Sequence, residues 1–499
     1  MKIFSSAQIK DWDKYSIREQ RITSEALMER AAVACYHWLI NNHFTQQPIL
    51  VFCGKGNNGG DGLALAGMLI QSSIPVTVYI LETGKPGTGD FQTNLQRLQQ
   101  ANGNIHFIQS AHFFPVIEKD QLVIDALFGT GLNKPLEGIA LELVEHLNNS
   151  YAPVISIDMP SGLFCNKSTS DQVAIHATHT LSFQAVKLAF LMPENNMFTG
   201  EFHILDIGLS RQYEDEEPAV HEIIDTAIIE AIIKTRNKFS HKGSFGHAAL
   251  IAGSYGMMGA AILAAKGCMQ AGTGKLTCYI PSCGYDNMQS SVPEAMCKVA
   301  GEKFIEGIGN IAVYDATGIG PGIGLQNGSA ALLNEIFLSK NKHFVLDADA
   351  LNVLAADKKL LGEIPGGTVI TPHIKEFERM FGASSNDFDR LQLAIEMAAR
   401  LNIYIILKGH YTAIITPPGK VYFNNTGNAG MAKAGMGDIL TGMVTGLMAQ
   451  QYPLPEAAML GVYLHGLAGD IACTKYSQQA MQASDLINCI GDAWKLLTQ

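Results

Sequence analysis

The chain has 499 residues, of which 47% are hydrophobic and 16% are charged, and its formal net charge is −11. This length favours roughly two to four domains. The composition supports a large buried core and argues against disorder. The acidic balance argues against a general nucleic-acid-binding surface.

The cysteines and the N-terminus bear on the cellular compartment. The nine cysteines are scattered without a CxxC pair, so they indicate neither a zinc site nor a disulfide framework. An odd number of cysteines in a large apolar protein fits a reducing compartment. The opening stretch, MKIFSSAQIKDWDKYSIREQ, lacks the apolar segment of a signal peptide, and no apolar run reaches the length of a membrane span. We therefore expect a cytoplasmic protein that binds neither membranes nor nucleic acid.

Short apolar runs alternate with helical stretches in the first half of the chain. The run ILVFC, residues 49–53, predicts a fully buried strand, and a glycine loop and a helix over 61–71 follow it. Further strands are predicted within PVTVYIL, QLVIDALFG, APVISIDMPSG and FHILDIG. This alternation is typical of a parallel sheet covered by helices on both faces.

The same pattern restarts after residues 211–222, an acidic stretch containing Pro218 that we predict to be a linker. Strands are predicted within HAALIAGS, KLTCYIP, VYDATGIG, HFVLDADAL, GTVITPH, IYIILKG and TAIITPPGKVYFNN, with helices between them. We therefore predict two α/β domains in series, over residues 1–217 and 218–499.

Three polar loops follow predicted strands of the first half. In GKGNNGGDG, glycines permit close approach of a ligand, and free amides at a helix start suit a phosphate. A tight turn with Asp61 as the helix cap explains that loop equally well. DALFGTGLNKP and SIDMPSGL would lie beside it, because ligands of open α/β sheets bind beyond the carboxyl ends of strands. Oxygens of Asn58, Asp125 and Ser161 could hold a hard cation there, although a capped turn explains each residue singly.

Together, GKGNNGGDGL, DALFGTGL, IDMPSG and LDIGL resemble the NAD(P)HX epimerase family, the YjeF N-terminal domain, over about the first 210 residues. The resemblance implies a Rossmann-like three-layer sandwich that epimerises the C6 hydroxyl of hydrated NADH and NADPH (NADHX and NADPHX). It implies potassium held by Asn58, Asp125 and Ser161, and substrate bound by Asp158. Two segments are further implied to bind the dinucleotide: Asn57, Asn58, Gly59, Gly60 and Asp61, and Gly129, Thr130, Gly131, Leu132, Asn133, Lys134 and Pro135.

Inversion of a carbon next to a ring nitrogen needs a proton acceptor and a proton donor. Asp158 is the candidate base, and Lys187, in SFQAVKLAF, is the candidate acid or charge stabiliser. A solvated surface lysine is the alternative for Lys187, and the sequence context favours that alternative.

A second glycine-rich element, KAGMGD, lies near the C-terminus. It resembles the GAGD-type motif of ribokinase-like kinases, in which backbone amides at a helix start form an anion hole. In that superfamily the aspartate activates a substrate hydroxyl toward a terminal phosphate, and Asp438 is the matching residue. A helix N-cap aspartate beside a flexible glycine turn is the structural alternative.

Other motifs accompany this element. TPHIKEFERM resembles the kinase motif P-N-x-x-E, with His373 in place of asparagine and Glu376 suited to hydrated magnesium. A structural histidine is the alternative for His373. Ala260 is predicted at a helix start, and Gly322 leaves room for a close ligand. Three polar residues of HFVLDADALN are placed near a strand end: Asp347, Asp349 and Asn352.

Together, GPG-G, DADALN, TPH-KE and KAGMGD resemble the NAD(P)HX dehydratase family, the YjeF C-terminal domain, over roughly residues 225–499. The resemblance implies a ribokinase-like α/β domain that uses Mg²⁺ and ADP as co-substrate and converts the S epimer to NAD(P)H, with AMP and phosphate as products. It implies that Ala260, Gly322, His373 and Asp438 contact the hydrated nucleotide. It implies that the adenine nucleotide is contacted by Lys408, Gly409, His410, Tyr411, Thr412 and Gly437.

The two implied activities complement each other, because the epimerase supplies the epimer that the dehydratase accepts. We also expect a homo-oligomer, since folds of this type often associate through flat helical faces. Two alternatives stay open. One is a ribokinase-like kinase that acts on a vitamin precursor, and the other is a first domain that only binds nucleotides or partner proteins.

Overall fold

The computed structural model describes residues 1–326, 328–339 and 343–498. The chain divides into two compact units, which we call the N-terminal and the C-terminal unit. The first comprises Lys2–Ala219 with Asn386–Phe388, and the second comprises Met1, Val220–Ser385 and Asp389–Gln499.

The N-terminal unit alternates strands and helices. Its strands are β1 (Lys2–Ile3), β2 (Ile49–Cys53), β3 (Val76–Leu81), β4 (Asn104–Ile108), β5 (Leu122–Ala126), β6 (Val154–Ile157), β7 (His179–Phe183) and β8 (Glu201–Leu205). Its helices are α1 (Ser6–Gln20), α2 (Ser24–Asn41), α3 (Asn57–Gln71), α4 (Gly89–Gln100), α5 (Ile139–Asn149), α6 (Asn196–Thr199) and α7 (Arg211–Glu216).

Strands β2–β8 form one parallel sheet in the order β4-β3-β2-β5-β6-β7-β8. Successive residues of β2 contribute to different apolar clusters, since Val51 packs with Leu63 of α3 and Phe52 packs with Leu143 of α5. Both faces of the sheet are therefore covered by helices, which confirms the predicted Rossmann-like sandwich. The strand order reverses between β2 and β5, and this reversal opens a crevice at the carboxyl ends of the two strands.

The C-terminal unit is larger. Its strands are β9 (His221–Ile224), β10 (His247–Ile251), β11 (Lys275–Ile280), β12 (Met296–Val299), β13 (Ala316–Ile319), β14 (Phe344–Leu346), β15 (Val369–Ile370), β16 (Tyr404–Leu407), β17 (Ala413–Ile415) and β18 (Val421–Asn424). Its helices are α8 (Thr226–Ile232), α9 (Met258–Gln270), α10 (Tyr285–Ser291), α11 (Ser329–Phe337), α12 (Asp349–Ala356), α13 (Lys358–Gly362), α14 (Ile374–Phe381), α15 (Asp387–Leu401), α16 (Met436–Ala449), α17 (Leu454–Ala480) and α18 (Ala483–Thr498).

These strands lie in the order β9-β18-β17-β16-β15-β14-β13-β10-β11-β12. The order reverses between β10 and β13, which places a second crevice at their carboxyl ends. The sequence pattern predicts a parallel sheet, but the observed sheet is mixed. Strand β17 pairs antiparallel with both β16 and β18. Two short turns cause this difference. Residues 408–412 reverse the chain between β16 and β17, and TPPGK closes the hairpin between β17 and β18, where Thr416 N donates to Lys420 O at 3.0 Å and Gly419 has φ +87°.

Helices α9 and α16 pack closely on the sheet beside this crevice. A Cβ atom at Gly442 would collide with the carbonyl of Ala264, and one at Gly267 would lie 2.5 Å from the carbonyl of Ile439. Glycine is required at both positions because the helix backbones are in contact. This close packing holds the N-terminus of α16 at the crevice.

Three features differ from the sequence expectations. The predicted linker is structured in part, since α7 covers Arg211–Glu216 and β9 begins at His221. The sequence pattern did not predict β4 or β7, whose runs are short and contain polar residues. Among the described residues, α17 is long and apolar enough to cross a membrane by length and composition, but 72% of its apolar window is buried within the protein, as in a core helix.

Candidate active sites at the two sheet edges

In the N-terminal unit, the glycine-rich motif forms the start of a helix. Helix α3 begins at Asn57 with Gly56 as its N-cap, and no side chain caps it. The predicted helix start at Asp61 is therefore wrong, and Asp61 is not the cap. The turn tightens because the backbones of Gly54 and Gly59 are in contact, and a Cβ atom at Gly59 would collide with the Gly54 carbonyl. The first amides of α3 consequently face the crevice without helical partners.

Loops from three strands meet at this helix start. Asp158 follows β6, and its Oδ2 accepts a hydrogen bond of 2.9 Å from Thr130 N in the loop after β5. A Cβ atom at Gly129 would lie 2.6 Å from Asp158 Oδ2 and 3.4 Å from the Asn58 Cβ. Asp158 also has φ +64°, which is uncommon for a residue with a side chain. The structure thus brings these four predicted site residues into contact.

Lys187 joins this group. Its side chain is fully buried, its Nζ lies 3.4 Å from Asp158 Oδ1, and it donates a 2.8 Å hydrogen bond to the Phe183 carbonyl. The solvated lysine that the sequence context favours is therefore wrong. Lys187 is buried because of the tertiary fold: it lies just beyond strand β7 and meets Asp158, which follows β6, at the edge of the sheet. A buried ammonium beside a carboxylate is well suited to proton transfer or charge stabilisation.

Two more carboxyl groups surround Asp158. Burial, together with the charge of Asp158, raises the pKa of Asp13 to about 7, although Lys187 opposes this shift. Burial and the charges of Asp158 and Asp13 also raise the pKa of Asp61 well above its usual value. Sequence reasoning missed Asp13, because its segment of α1 carries no motif and only the fold brings it near Asp158.

Two of the predicted cation ligands, Asp125 and Ser161, are hydrogen-bonded to each other. Asp125 is fully buried, and it accepts hydrogen bonds from Ser161 Oγ at 2.6 Å, Ser161 N at 2.8 Å and Ser156 Oγ at 2.8 Å. Burial nonetheless raises the pKa of Asp125, while these hydrogen bonds act in the opposite direction. Within the described residues, both polar atoms of the buried Asn58 amide lack a hydrogen-bond partner. An orphaned amide at this place is expected where a ligand binds.

In the C-terminal unit, two predicted substrate-binding residues touch each other. Ala260 lies in the first turn of α9, and Gly322 lies in the loop after β13 with φ +64°. A Cβ atom at Gly322 would lie 2.8 Å from the Met257 carbonyl and 3.3 Å from the Ala260 Cβ. Small residues at both positions therefore keep the crevice between β10 and β13 open.

A buried ion pair lies at the centre of the same edge. Lys408 Nζ lies 2.9 Å from Asp347 Oδ1 and 3.8 Å from Glu376 Oε2, and Thr441 Oγ1 donates to Asp347 Oδ2 at 2.7 Å. Burial disfavours the Lys408 charge, but Asp347 and Glu376 outweigh it and raise the pKa of Lys408. The site residues predicted from sequence do not include Asp347, which the sequence places only near a strand end. They also do not include Thr441, because its contact with Asp347 depends on how α16 docks on the sheet.

The KAGMGD motif forms the N-terminus of α16. Its N-cap is Gly435, with φ +91° and no capping side chain, and the first amide bonded within the helix is that of Ile439, to Gly435 O at 3.2 Å. Asp438 lies in the first turn, so the N-cap alternative for this residue is wrong. Burial, followed by the charge of Asp347, raises the pKa of Asp438 to about 6, although Lys408 opposes the shift. The amides before Ile439 have no partners within the helix and are therefore of the kind that suits an anion, beside this carboxyl group.

His373 caps helix α14. Its Nδ1 accepts a 3.3 Å hydrogen bond from Glu376 N, and Glu376 Oε2 accepts a 2.8 Å bond from His373 N. Its side chain remains 48% exposed, so capping does not exclude contact with a ligand. A backbone bridge pairs His373 with Lys408, and this bridge places the histidine beside the ion pair.

Of the remaining predicted nucleotide contacts, Lys408 lies beside the start of α16, and residues 409–412 follow it in a turn. A Cβ atom at Gly437 would lie 3.3 Å from Lys408 Nζ. After Lys408 the chain turns, and Thr412 Oγ1 donates a 2.9 Å hydrogen bond to Gly409 O. His410 and Tyr411 contact each other edge to face in that turn, with ring centroids 4.5 Å apart. The turn thus presents backbone and aromatic groups next to Lys408, at the carboxyl end of β16.

Comparison with known proteins covers both units. Residues 248–491 match the family model described as NAD(P)H-hydrate dehydratase, and residues 24–189 match the model described as YjeF-related protein N-terminus. A ribokinase-like superfamily protein from Enterococcus faecalis aligns with 56% of this chain and 98% of its own, with 26% identity and a TM-score of 0.50. This similarity confirms the predicted ribokinase-like fold of the C-terminal unit.

Similarity to characterised families also extends over the whole chain. The bifunctional NAD(P)H-hydrate repair enzyme of Moorella thermoacetica is 33% identical, and the alignment covers 98% of this chain and 96% of that protein. The enzyme of the same name from Escherichia coli K12 is 31% identical over 94% of this chain and 89% of its own. The two matching domain models and the full-length relatives show that this chain belongs to the family of bifunctional NAD(P)H-hydrate repair enzymes, which combine an epimerase with a dehydratase.

Proposed function

We propose that the domain over residues 1–217 interconverts the R and S forms of NADHX and NADPHX, and that the domain over 218–499 dehydrates the S form at the expense of ADP. The observation that carries this proposal is shared by the two sheet edges. Each combines free helix amides with a carboxylate and a nearby lysine: Asp158 with the buried Lys187, and Asp438 with the largely buried Lys408. Amides hold a nucleotide, and the carboxylate moves a proton.

For the epimerase, the pair of Asp158 and Lys187 supplies the required acceptor and donor. C6 of the hydrate carries both a hydroxyl group and the ring nitrogen. When Asp158 takes the hydroxyl proton and Lys187 protonates the nitrogen, the C6–N1 bond breaks and C6 becomes an aldehyde. The ring nitrogen then attacks the other face of this carbonyl, and both protons return. Burial and neighbouring charge raise the pKa values of Asp13 and Asp61. We assign the base role to Asp158 because it is the carboxylate that pairs directly with Lys187.

For the dehydratase, the hydroxyl group must become a better leaving group. Asp438 accepts the C6 hydroxyl proton, and the oxygen takes the terminal phosphoryl group of ADP, which leaves as AMP. The ring nitrogen then expels phosphate by breaking the C6–O bond, and loss of a proton from C5 restores the dihydronicotinamide. Lys408 and the first amides of α16 bind the phosphates during this transfer.

Two cations fit these sites. The unpartnered Asn58 amide oxygen and the bonded oxygens of Asp125 and Ser161 together offer ligands that suit K⁺, which would neutralise buried carboxylate charge beside the dinucleotide. In the C-terminal unit, Glu376 lies near Asp438 and Asp347, and such carboxylates suit hydrated Mg²⁺, which supplies charge neutralisation for phosphoryl transfer. We also propose that the protein is a cytoplasmic homo-oligomer.

Incubation of the purified protein with both hydrate epimers tests the proposal. With ADP and Mg²⁺, both epimers should disappear and NAD(P)H should form with equimolar AMP. Without ADP, the epimers should exchange but persist. Persistence of one epimer in the presence of ADP, or dehydration without nucleotide, would refute one half of the proposal. In a separate incubation with ATP and a vitamin precursor, phosphorylation of the precursor would instead support the kinase alternative, which the full-length relatives do not favour.

The pH dependence of dehydration is a second prediction. Asp438 acts as a base only when it is ionised, so kcat/KM for the S epimer should rise with pH and reach half its plateau near pH 6, the raised pKa of this group. Initial rates should be measured from pH 5 to 8 with saturating Mg²⁺, so that the ionisation of ADP contributes little. A rate that is constant or falls across this range would contradict the assignment of Asp438 as the base.

Potassium binding provides a third prediction. Asn58→Ala removes the unpartnered amide oxygen, so the K⁺ concentration that gives half-maximal epimerase activity should rise by about tenfold. Asn104→Ala, on the edge strand β4, is the matched control and should behave as wild type. Epimer exchange should be measured in K⁺ titrations at constant ionic strength with Na⁺ as replacement. A wild-type rate that does not respond to K⁺ would exclude this site.

A further inference from the structure

A cluster of metal-ligating side chains lies at the edge of the N-terminal sheet, apart from the candidate active site. Strands β7 and β8 are parallel neighbours, with His179 opposite Glu201 and Leu181 opposite His203. Side chains alternate between the two faces of a strand. Glu201 and His203, two residues apart, therefore lie on the same face as His179. Strand register alone brings two imidazoles and a carboxylate together.

The distances within the cluster match the geometry of a tetrahedral metal site. His179 Nδ1 lies 3.2 Å from His203 Nε2 and 3.9 Å from Glu201 Oε2, and one ligand atom from each residue lies within 4.8 Å of the others. Two nitrogens bound to Zn²⁺ at about 2.0–2.1 Å must lie about 3.3 Å apart. The imidazoles already hold this separation. The Glu201 side chain is 72% exposed, so it can rotate an oxygen toward the ion.

Aromatic rings enclose one side of the cluster. The Trp38 ring centroid lies 4.7 Å from that of His203 and 5.2 Å from that of His179, and Phe44 contacts His179 at 5.3 Å. Packing against these rings restricts rotation of the imidazoles and excludes water from that side. A preorganised, partly dry ligand pair binds a metal more tightly than two mobile surface histidines.

We propose that His179, Glu201 and His203 bind one divalent transition-metal ion of the Zn²⁺ class, with water as the fourth ligand. Two imidazole nitrogens and one carboxylate oxygen suit Zn²⁺ and its neighbours, whereas K⁺ and Mg²⁺ prefer oxygen ligands throughout. The competing explanation is a direct hydrogen bond, in which one neutral imidazole donates and the other accepts. The test below separates these two explanations.

The position of the cluster indicates a stabilising role. His179 begins β7, whereas Lys187 follows the carboxyl end of that strand, and five strand residues span about 13 Å. The ion would thus join the two last strands of the sheet without reaching the epimerase substrate. Bound Zn²⁺ is therefore expected to raise the Tm of the protein and to leave the rate of epimer exchange unchanged.

Zinc titration of the full-length chain, prepared without a histidine tag, tests the proposal. Competition with a chromogenic chelator should show a tight site in wild type whose affinity falls by at least about tenfold in His203→Asn. His112→Asn, which changes an exposed histidine of the same unit, should retain it. Zn²⁺ should raise the Tm of wild type and of the control, but not that of His203→Asn. Equal binding by all three proteins would overturn the proposal.

A measurement on the wild type alone removes any dependence on the folding of the variant. Co²⁺ should produce the intense visible absorption of a tetrahedral site, without the thiolate bands expected if a cysteine were a ligand, and Zn²⁺ should abolish this absorption. A Co²⁺ spectrum typical of octahedral coordination by water, or one with thiolate bands only, would show that the two histidines merely share a hydrogen bond.

Discussion

Asp438→Asn is expected to reduce dehydration of the S epimer by about 10²–10⁴-fold, the usual contribution of a general base. Asparagine preserves the size of the side chain but cannot accept the hydroxyl proton. Because burial and Asp347 already raise the pKa of this carboxyl group to about 6, its basicity suits proton removal near neutral pH. The rate should be followed by the appearance of NADH absorbance with saturating ADP.

The control for this variant is an acid in a comparable local setting. Asp286 also lies in the first turn of a helix, α10, and it is exposed, so Asp286→Asn should leave dehydration unchanged. Epimer exchange by Asp438→Asn should equal that of wild type, and its Tm should match the wild-type value, which shows that the C-terminal unit still folds. If Asp438→Asn retained more than a tenth of the wild-type rate, Asp438 would not be the base.

Asp158→Asn is expected to abolish epimer exchange to a similar extent, by about 10²–10⁴-fold. The amide oxygen can still accept the hydrogen bond from Thr130 N, now 2.9 Å from Asp158 Oδ2, so the loop should keep its position. What is lost is the base itself and the negative charge 3.4 Å from Lys187 Nζ. Exchange should be measured by chromatographic separation of the two epimers without ADP.

A variant of Lys187, the partner of Asp158, tests whether this lysine acts in catalysis or only in the structure. Lys187→Met retains the length of the apolar stem but removes the proton donor, so it should also lose most epimerase activity. Lys14→Met, at an exposed position of α1, is the matched control and should be neutral. Both Asp158→Asn and Lys187→Met should still dehydrate the pure S epimer at the wild-type rate. Wild-type exchange in Lys187→Met would assign the lysine a purely structural role.

Much of the fold and many candidate site residues could be predicted from local patterns. A buried strand such as 49–53 shows as a continuous apolar run, and β2 has these bounds. The motif before Gly437 depends on the positive φ of Gly435, and the motif around Gly129 depends on close approach to Asp158. Glycine suits both needs, so these motifs can be read from sequence. The position of each motif at the carboxyl edge of its own sheet was also predictable, because parallel strands share one carboxyl edge.

Other properties depend on segments that are distant in sequence. Lys187 is buried, and Asp13 is shifted in pKa, because α1 and the loops after β6 and β7 pack around Asp158. The pairing of Lys408 with Asp347 and Thr441 depends on how α16 docks on the sheet. Neither contact follows from a local pattern, because burial and ion pairing are properties of the assembled core.

The cluster of His179, Glu201 and His203 on β7 and β8 shows most clearly the difference between what local sequence predicts and what tertiary contacts decide. Cysteine spacing in the sequence indicates no zinc site, whereas His179, Glu201 and His203 meet only through strand pairing. The sequence by itself determined the two α/β units and the family, and it located the two glycine-rich loops that we predict to bind phosphate, because these features depend on local periodicity and on glycine. Only the tertiary structure decided which charges are buried, which carboxyl groups share an environment and which ligands converge, because each of these depends on contacts between distant segments.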